Sequence, residues 1–253
     1  MLKKELKLMI KNPAYFIIAI LPFALSFFMS EGTKNYLLQY AVQADEIISS
    51  KEVIIYTGKV LDARAQFATS ELSFMVMMSS ILIGLSVFEE RRLHIWDRLV
   101  GKERLLCLKF ALHYIYDIIL IMINLFLYKV AFGIEFPAKA YLLFSSIPII
   151  SLFLGMIIGL TVNSRAVLSN SILMIVMLLG YFGGALSLTS VLANTRFMNV
   201  LMYISPLTIV NKLIFSSIIG LEKSFALWFI SLAVFAIISL FFLNRRIKDG
   251  AVI

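Results

Sequence analysis

Five polar residues in an otherwise apolar stretch, Lys109, His113, Asp117, Asn124 and Tyr128, are spaced by 4, 4, 7 and 4. That spacing puts them on one face of a helix. An ammonium, an imidazole and a carboxyl on one stripe can tie helices together, line a polar path or carry a proton. Asp117 lies eight residues beyond Lys109, about 12 Å along a helix, and an Asp at the centre of a membrane helix costs about 2.5 to 3.5 kcal/mol. Its side chain must therefore face protein or water, with His113, Asn163 or Arg165 as the expected partner. Two readings stay open for the stripe: a polar stitch between helices, or the lining of a transport path or a protonation site. Tyr114 and Tyr116 read as packing.

A second set of charges lies just before this stripe, in the segment from Glu89 to Lys109, EERRLHIWDRLVGKERLLCLK. It is too charged to enter lipid and too long for a simple turn. Leu93, Trp96, Leu99 and Val100 fall at i, i+3, i+6 and i+7, an apolar helical face, with Glu89, Glu90, Arg91, Arg92, Asp97, Arg98, Lys102 and Glu103 around or beside it. A short amphipathic helix of this kind suits docking to a soluble partner; a helix resting in the headgroup region with Trp96 as anchor is the other reading. Within residues 1–12, Leu2, Leu6, Met9 and Ile10 oppose Lys3, Lys4, Lys7 and Lys11. This predicts a helix lying on the inner leaflet with its lysines toward anionic headgroups, or else a plain positively charged flank. Asn12-Pro13 ends it.

Enzyme chemistry finds no foothold. There is no G-x-x-x-x-G-K-[ST] phosphate loop, no H-E-x-x-H, no G-x-S-x-G and no dinucleotide fingerprint, so no catalytic residue is expected. One cysteine, Cys107, and two histidines, His94 and His113, offer no cysteine cage and little else for a metal, so no metal site is expected either.

The elements that must hold these residues follow from composition. Of 253 residues, 61% are hydrophobic and 15% charged, with a mean hydropathy of +0.95; a soluble domain has roughly 45 to 50% and 25%. This is an all-α, polytopic membrane protein. Apolar runs of spanning length cover Ala14 to Ser30, Leu72 to Phe88, Phe110 to Phe132, Ala140 to Val162, Ala166 to Val191 and Phe225 to Leu243. Six crossings form a single domain over 1–253, with the interfacial helix at 1–12, an outer loop at 31–71, the cytoplasmic segment at 89–109 and short outer helices at 192–222. In the last of these, Phe197 to Gly220 is apolar but broken by Ser205-Pro206, which predicts two short helices that dip into the membrane and return. The outer loop of about 40 residues predicts at most a small cap.

The net charge of +8 sits mostly in short flanks, which excludes nucleic acid as a partner and sets orientation instead. Lys3, Lys4, Lys7, Lys11, Arg91, Arg92, Arg98, Lys102, Arg104, Lys109, Arg165, Arg245, Arg246 and Lys248 make 14 basic residues on the side of the termini, against 9 elsewhere. By the positive-inside rule both termini are expected in the cytoplasm, with the protein in the cell membrane. The first span lacks a small-residue cleavage site and is expected to remain as an anchor. The 12 methionines, among them Met75, Met77, Met78, Met174 and Met177, suit either helix packing or an adaptable lining for greasy cargo.

The run Glu90, Arg91, Trp96, Asp97, Arg98, Leu99, closed by Lys109, resembles the loop between the second and third spans of type-2 ABC exporter permeases, whose pattern runs E-R-x-x-G-T-[LW]-[DE]-R-L. His94-Ile95 stands where that pattern has Gly-Thr, and Leu108 where a glycine precedes the lysine. A second stretch, with Gly183, Gly184, Pro206, Leu207 and Thr208, is similar to the family's glycine pair after the fifth span and the P-L-T before the sixth, and is read as a re-entrant turn. In that family two six-span subunits pair, each on a separate nucleotide-binding subunit. The resemblance therefore implies a permease whose partners are an ATPase subunit, a second identical or related permease and membrane lipids. ATP and magnesium would be bound by the ATPase and no cofactor by this chain, with residues Glu89 to Leu93, Trp96 to Leu99 and Lys102 coupling the two. The expected cargo is amphipathic or lipid-like: an antimicrobial peptide, a drug or a lipid-linked glycan. The alternatives are a proton-coupled secondary transporter using Asp117, which often has internal repeats not seen here, and a non-transporting membrane immunity or sensor protein.

Overall fold

The computed structural model describes residues 7, 9–39, 63–93, 102–186, 196–220 and 224–248. Every element in them is helical: α1 (Pro13–Gln39), α2 (Ala63–Met78), α3 (Ser80–Arg92), α4 (Lys102–Phe132), α5 (Ala138–Thr161), α6 (Arg165–Gly183), α7 (Arg196–Met202), α8 (Pro206–Ile218) and α9 (Ala226–Lys248). Six stretches are long and apolar enough to cross a membrane, Pro13–Gly32, Arg64–Arg92, Glu103–Phe132, Ala138–Thr161, Arg165–Gly183 and Ala226–Ile247. The protein is a multi-pass membrane protein.

Local signals explain where the helices begin and end. Asn12 accepts the Ala14 N–H at 3.0 Å and Pro13 takes the first helical position, the usual pairing of a polar cap with a proline that has no N–H to satisfy. Pro206 starts α8 in the same way after extended Ser205. At the end of α6, Gly184 adopts φ +88° and Ala185 N–H reaches back to Gly180 C=O at 3.0 Å, a left-handed stop that favours glycine. The fifth crossing therefore closes at Gly183, short of the expected Val191.

The second crossing also departs from expectation, beginning at Arg64 rather than Leu72. Helix α1 runs on to Gln39 and α2 begins at Ala63, so both ends of the 31–71 range are helical; 40–62 lies outside the described residues. The physical reason is that Gln66, Thr69, Ser70 and Glu71, which lower the hydropathy of this stretch, are all buried inside the bundle.

Burial identifies the centre. The second and fourth crossings are 78% and 67% buried, against 22%, 39%, 28% and 22% for the first, third, fifth and sixth, whose remaining faces are left for lipid. The two central helices touch backbone to backbone. A Cβ on Gly155 would overlap the Ser80 carbonyl oxygen, and one on Gly159 would come within 2.7 Å of the Gly84 oxygen. This is the G-x-x-x-G arrangement of closely packed membrane helices. Gly155→Leu should drive α3 and α5 apart and lower stability by about 1 to 3 kcal/mol, measured as the unfolding midpoint in detergent.

Candidate functional site: a polar column through the bundle

The five-residue stripe of α4 is buried throughout: Lys109, His113, Asp117, Asn124 and Tyr128 are each at most 1% exposed. The 19 residue-to-residue steps from Lys109 to Tyr128 span about 28 Å at 1.5 Å per residue, close to the thickness of a hydrocarbon core. Each member meets a different part of the bundle. Lys109 Nζ lies 3.0 Å from Glu90 Oε1 and donates to Ser86 Oγ at 2.5 Å. His113 Nε2 is 2.9 Å from the Tyr15 hydroxyl, and its Nδ1 is 2.9 Å from Lys109 C=O. Asn124 donates to Ala19 C=O of α1 at 2.8 Å. Tyr128 shares a 2.9 Å hydrogen bond with Ser26 of α1, beside a stack in which Phe132 is 5.8 Å from the Tyr128 ring and 5.5 Å from Phe23.

Asp117 meets none of the partners expected from sequence. Its Oδ2 accepts from Ser79 Oγ at 2.9 Å, while Oδ1 is buried without a hydrogen-bond partner. Ser79 is the residue at which the second crossing breaks into α2 and α3, and its Oγ also contacts Val76 C=O at 2.7 Å and Ser151 Oγ of α5 at 3.2 Å. Ser151 Oγ in turn lies 2.9 Å from Val76 C=O and 3.2 Å from Met77 C=O. Ser79, Asp117 and Ser151 each stand near the midpoint of their own crossing, so three spans meet in one polar node near mid-membrane. A broken helix at that depth is tolerated only inside protein, where side chains replace the missing backbone bonds. The expected packing role of Tyr116 carries a polar tie as well, since its hydroxyl donates to Tyr15 C=O at 2.6 Å.

The end of the column at Lys109 carries an ionic clamp. Glu89 pairs with Arg165 at 3.5 Å, Glu90 with Lys109, and Arg91 donates to Leu160 C=O, Val162 C=O and, at 3.2 Å, Asn163 Oδ1. Helix α5 ends at Thr161, so Arg91 occupies carbonyls that the helix terminus leaves open. Arg92 and Leu93 are exposed at the exit of α3. Trp96, Asp97, Arg98 and Leu99 lie outside the described residues, and Lys102 begins α4. At the N-terminus Lys7 and Lys11 are exposed, Met9 packs with Tyr15 and Leu82, and Lys3 and Lys4 lie outside the described residues.

At the opposite end the residues read as a re-entrant turn come together. A Cβ on Gly183 would sit 2.9 Å from Leu207 Cβ, Thr208 Oγ1 donates to Phe182 C=O at 2.8 Å, and Ser205 Oγ donates to Leu179 C=O at 2.9 Å. Asn211 ties them to the centre, donating to Gly183 C=O at 2.8 Å and accepting from Ser73 Oγ at 2.6 Å. Asn211→Leu should free both partners inside the bundle and lower stability by about 1 to 3 kcal/mol, read from the unfolding midpoint in detergent, with Gly184 and Pro206 still setting the turn. Sequence reasoning missed Ser79, Ser151 and Asn211, because serine and asparagine in apolar runs carry no spacing signal. It also passed over the pair Gly155 and Gly159, although the G-x-x-x-G spacing stands in the sequence. Comparison with family models, curated proteins and solved structures finds no match for this chain.

Proposed function

We propose that this chain is the permease subunit of an ATP-binding cassette exporter. Two such permeases, identical or related, would move an amphipathic or lipid-like cargo out of the cell with ATP hydrolysed on a separate subunit. The termini and the 89–102 segment face the cytoplasm in this reading. The observation that carries it is the ionic clamp. The exit of α3, from which the charged segment continues, is fastened by Glu89, Glu90 and Arg91 to α4, to the α5 terminus and to Arg165. A push on that segment would reach the two central helices, which pack backbone to backbone at Gly155 and Gly159. ATP binding drives such a movement only if it favours one of the two arrangements of the spans.

A mostly apolar groove of about 470 Å³ between α4, α5 and α9, lined by Leu106, Phe110, Phe153, Met156 and Leu243 together with Glu103 and Asn244, would suit an amphipathic cargo. The order of elements, with α7 and α8 between the fifth and sixth crossings, agrees with the same reading. Purifying the chain from membranes together with the products of its neighbouring genes should bring an ATP-binding subunit with it. Trp96→Ala combined with Asp97→Ala should reduce its recovery at least tenfold while the permease remains in the membrane. Recovery unchanged by the double substitution would sink the docking site. A second reading, a proton-coupled transporter, draws on the unpartnered Oδ1 of Asp117 and requires uphill transport by the isolated chain in sealed vesicles without nucleotide.

A further inference from the structure

We propose that the node formed by Ser79, Ser151 and Asp117 is a binding site for one monovalent cation, a proton or a sodium-sized metal ion, held near the middle of the membrane. Five oxygen-to-oxygen contacts of 2.7 to 3.2 Å join Ser79 Oγ, Ser151 Oγ, Asp117 Oδ2, Val76 C=O and Met77 C=O. Carbonyls and carboxylates only accept, and each serine hydroxyl brings a single hydrogen. Two hydroxyl hydrogens serve five contacts, with the Ser79 N–H on Val76 C=O at 3.2 Å and the Ser80 hydroxyl on Met77 C=O at 2.6 Å as the further donors.

With the Ser79 hydroxyl donating to Asp117 Oδ2, that single hydrogen bond is all the carboxyl receives. Asp117 Oδ1 has no hydrogen-bond partner. Buried oxygens converging with no positive particle among them repel one another, and a carboxylate at this depth is costly without compensation. One proton on the carboxyl, or one small hard cation among these oxygens, removes both problems. A single positive charge cancels the carboxylate, whereas a divalent ion would leave an uncompensated charge.

The charged and titratable groups around the node do not supply that charge. On α4 itself, Lys109 is engaged by Glu90 of α3 and Ser86, and His113 by Tyr15 of α1 and its own helix; they lie two turns and one turn away. Tyr116 is bonded to the α1 backbone, α2 adds the carboxyl of Glu71, and α5 brings Ser151 to the node. The proposal is independent of the ATPase reading, because it concerns the permease chain alone.

The test uses the purified chain in lipid nanodiscs, with Glu71→Gln introduced into every sample so that the other buried, unpartnered carboxyl is silent. Thermal unfolding is compared in sodium chloride and choline chloride at equal ionic strength, and the infrared carbonyl stretch of a protonated carboxylic acid is recorded in parallel. A metal-ion site predicts a midpoint raised by about 5 °C in sodium, an effect lost in Asp117→Asn and weakened in Ser151→Ala. A proton site predicts no sodium effect, with an acid carbonyl band present in the parent and absent in Asp117→Asn. That variant should fold, because its amide oxygen still accepts from the Ser79 hydroxyl. No sodium response together with no acid band, meaning a bare carboxylate at the node, overturns the proposal.

Discussion

Lys109→Met lowers the stability of the bundle by about 3 to 5 kcal/mol, the largest effect expected of any single side chain at the Glu89 to Lys109 end. The ammonium is fully buried, against a Glu90 carboxylate that is itself only 17% exposed. Removing one member of such a pair leaves the other desolvated and uncompensated, and the cost is dominated by that orphaned charge rather than by the lost attraction. The corollary separates this account from simple loss of packing. Pairing Lys109→Met with Glu90→Gln removes the orphaned charge, so the double variant should be more stable than Lys109→Met alone by about 1 kcal/mol or more. The cycle of four proteins, unfolded by denaturant in mixed micelles, reads the coupling directly. Equal instability of the single and double variants would show that no orphaned Glu90 charge contributes to the loss.

The way this bundle is built explains what could be read from its sequence. Hydropathy finds helices whose faces meet lipid, and the first, third and sixth crossings, rich in exposed residues such as Ile20, Phe126 and Phe241, stand close to where their apolar runs predict. It finds the buried fourth crossing as well, Ala138–Thr161 against the expected Ala140 to Val162, because the side chains buried there are mostly apolar; it fails where the buried side chains are polar. The stretch from Arg64 to Glu71 reads as loop because its polar side chains are destined for the interior, where helix neighbours take the place of lipid. The stripe on α4 was legible because a spacing of 4, 4, 7 and 4 is a property of one helix. Its partners were not, because Ser79, Ser86, Tyr15 and Ser26 belong to other spans, and which residue of another span stands at the depth of Asp117 depends on tilt and on the break at Ser79. Glu90 and Arg91 teach the same lesson at the membrane surface. Their charge suggests residues offered to a partner, yet both are turned toward α4 and α5, while Arg92 and Leu93 are the ones presented outward.

Arg91→Lys should separate ATP hydrolysis from transport, and this is the largest functional effect expected of a conservative change. A guanidinium fork serves two carbonyls and the Asn163 amide oxygen together, holding the exit of α3 against the end of α5. A lysine keeps the charge but presents its donors from one rotating point and cannot reproduce that plane. Each charge-assisted hydrogen bond is worth about 1.5 to 3 kcal/mol, so losing one loosens the clamp by about a factor of ten or more, 1.4 kcal/mol being tenfold. The segment proposed to dock, Arg92 to Leu99, keeps its sequence in this variant. In the proposed assembly the variant should retain its ATPase subunit and its ATP turnover while cargo movement into inside-out vesicles falls about tenfold. Trp96→Ala should do the reverse, weakening ATPase recovery first. Transport falling strictly in proportion to bound ATPase in both variants would mean that Arg91 only stabilises the fold, and that force reaches α5 by another route.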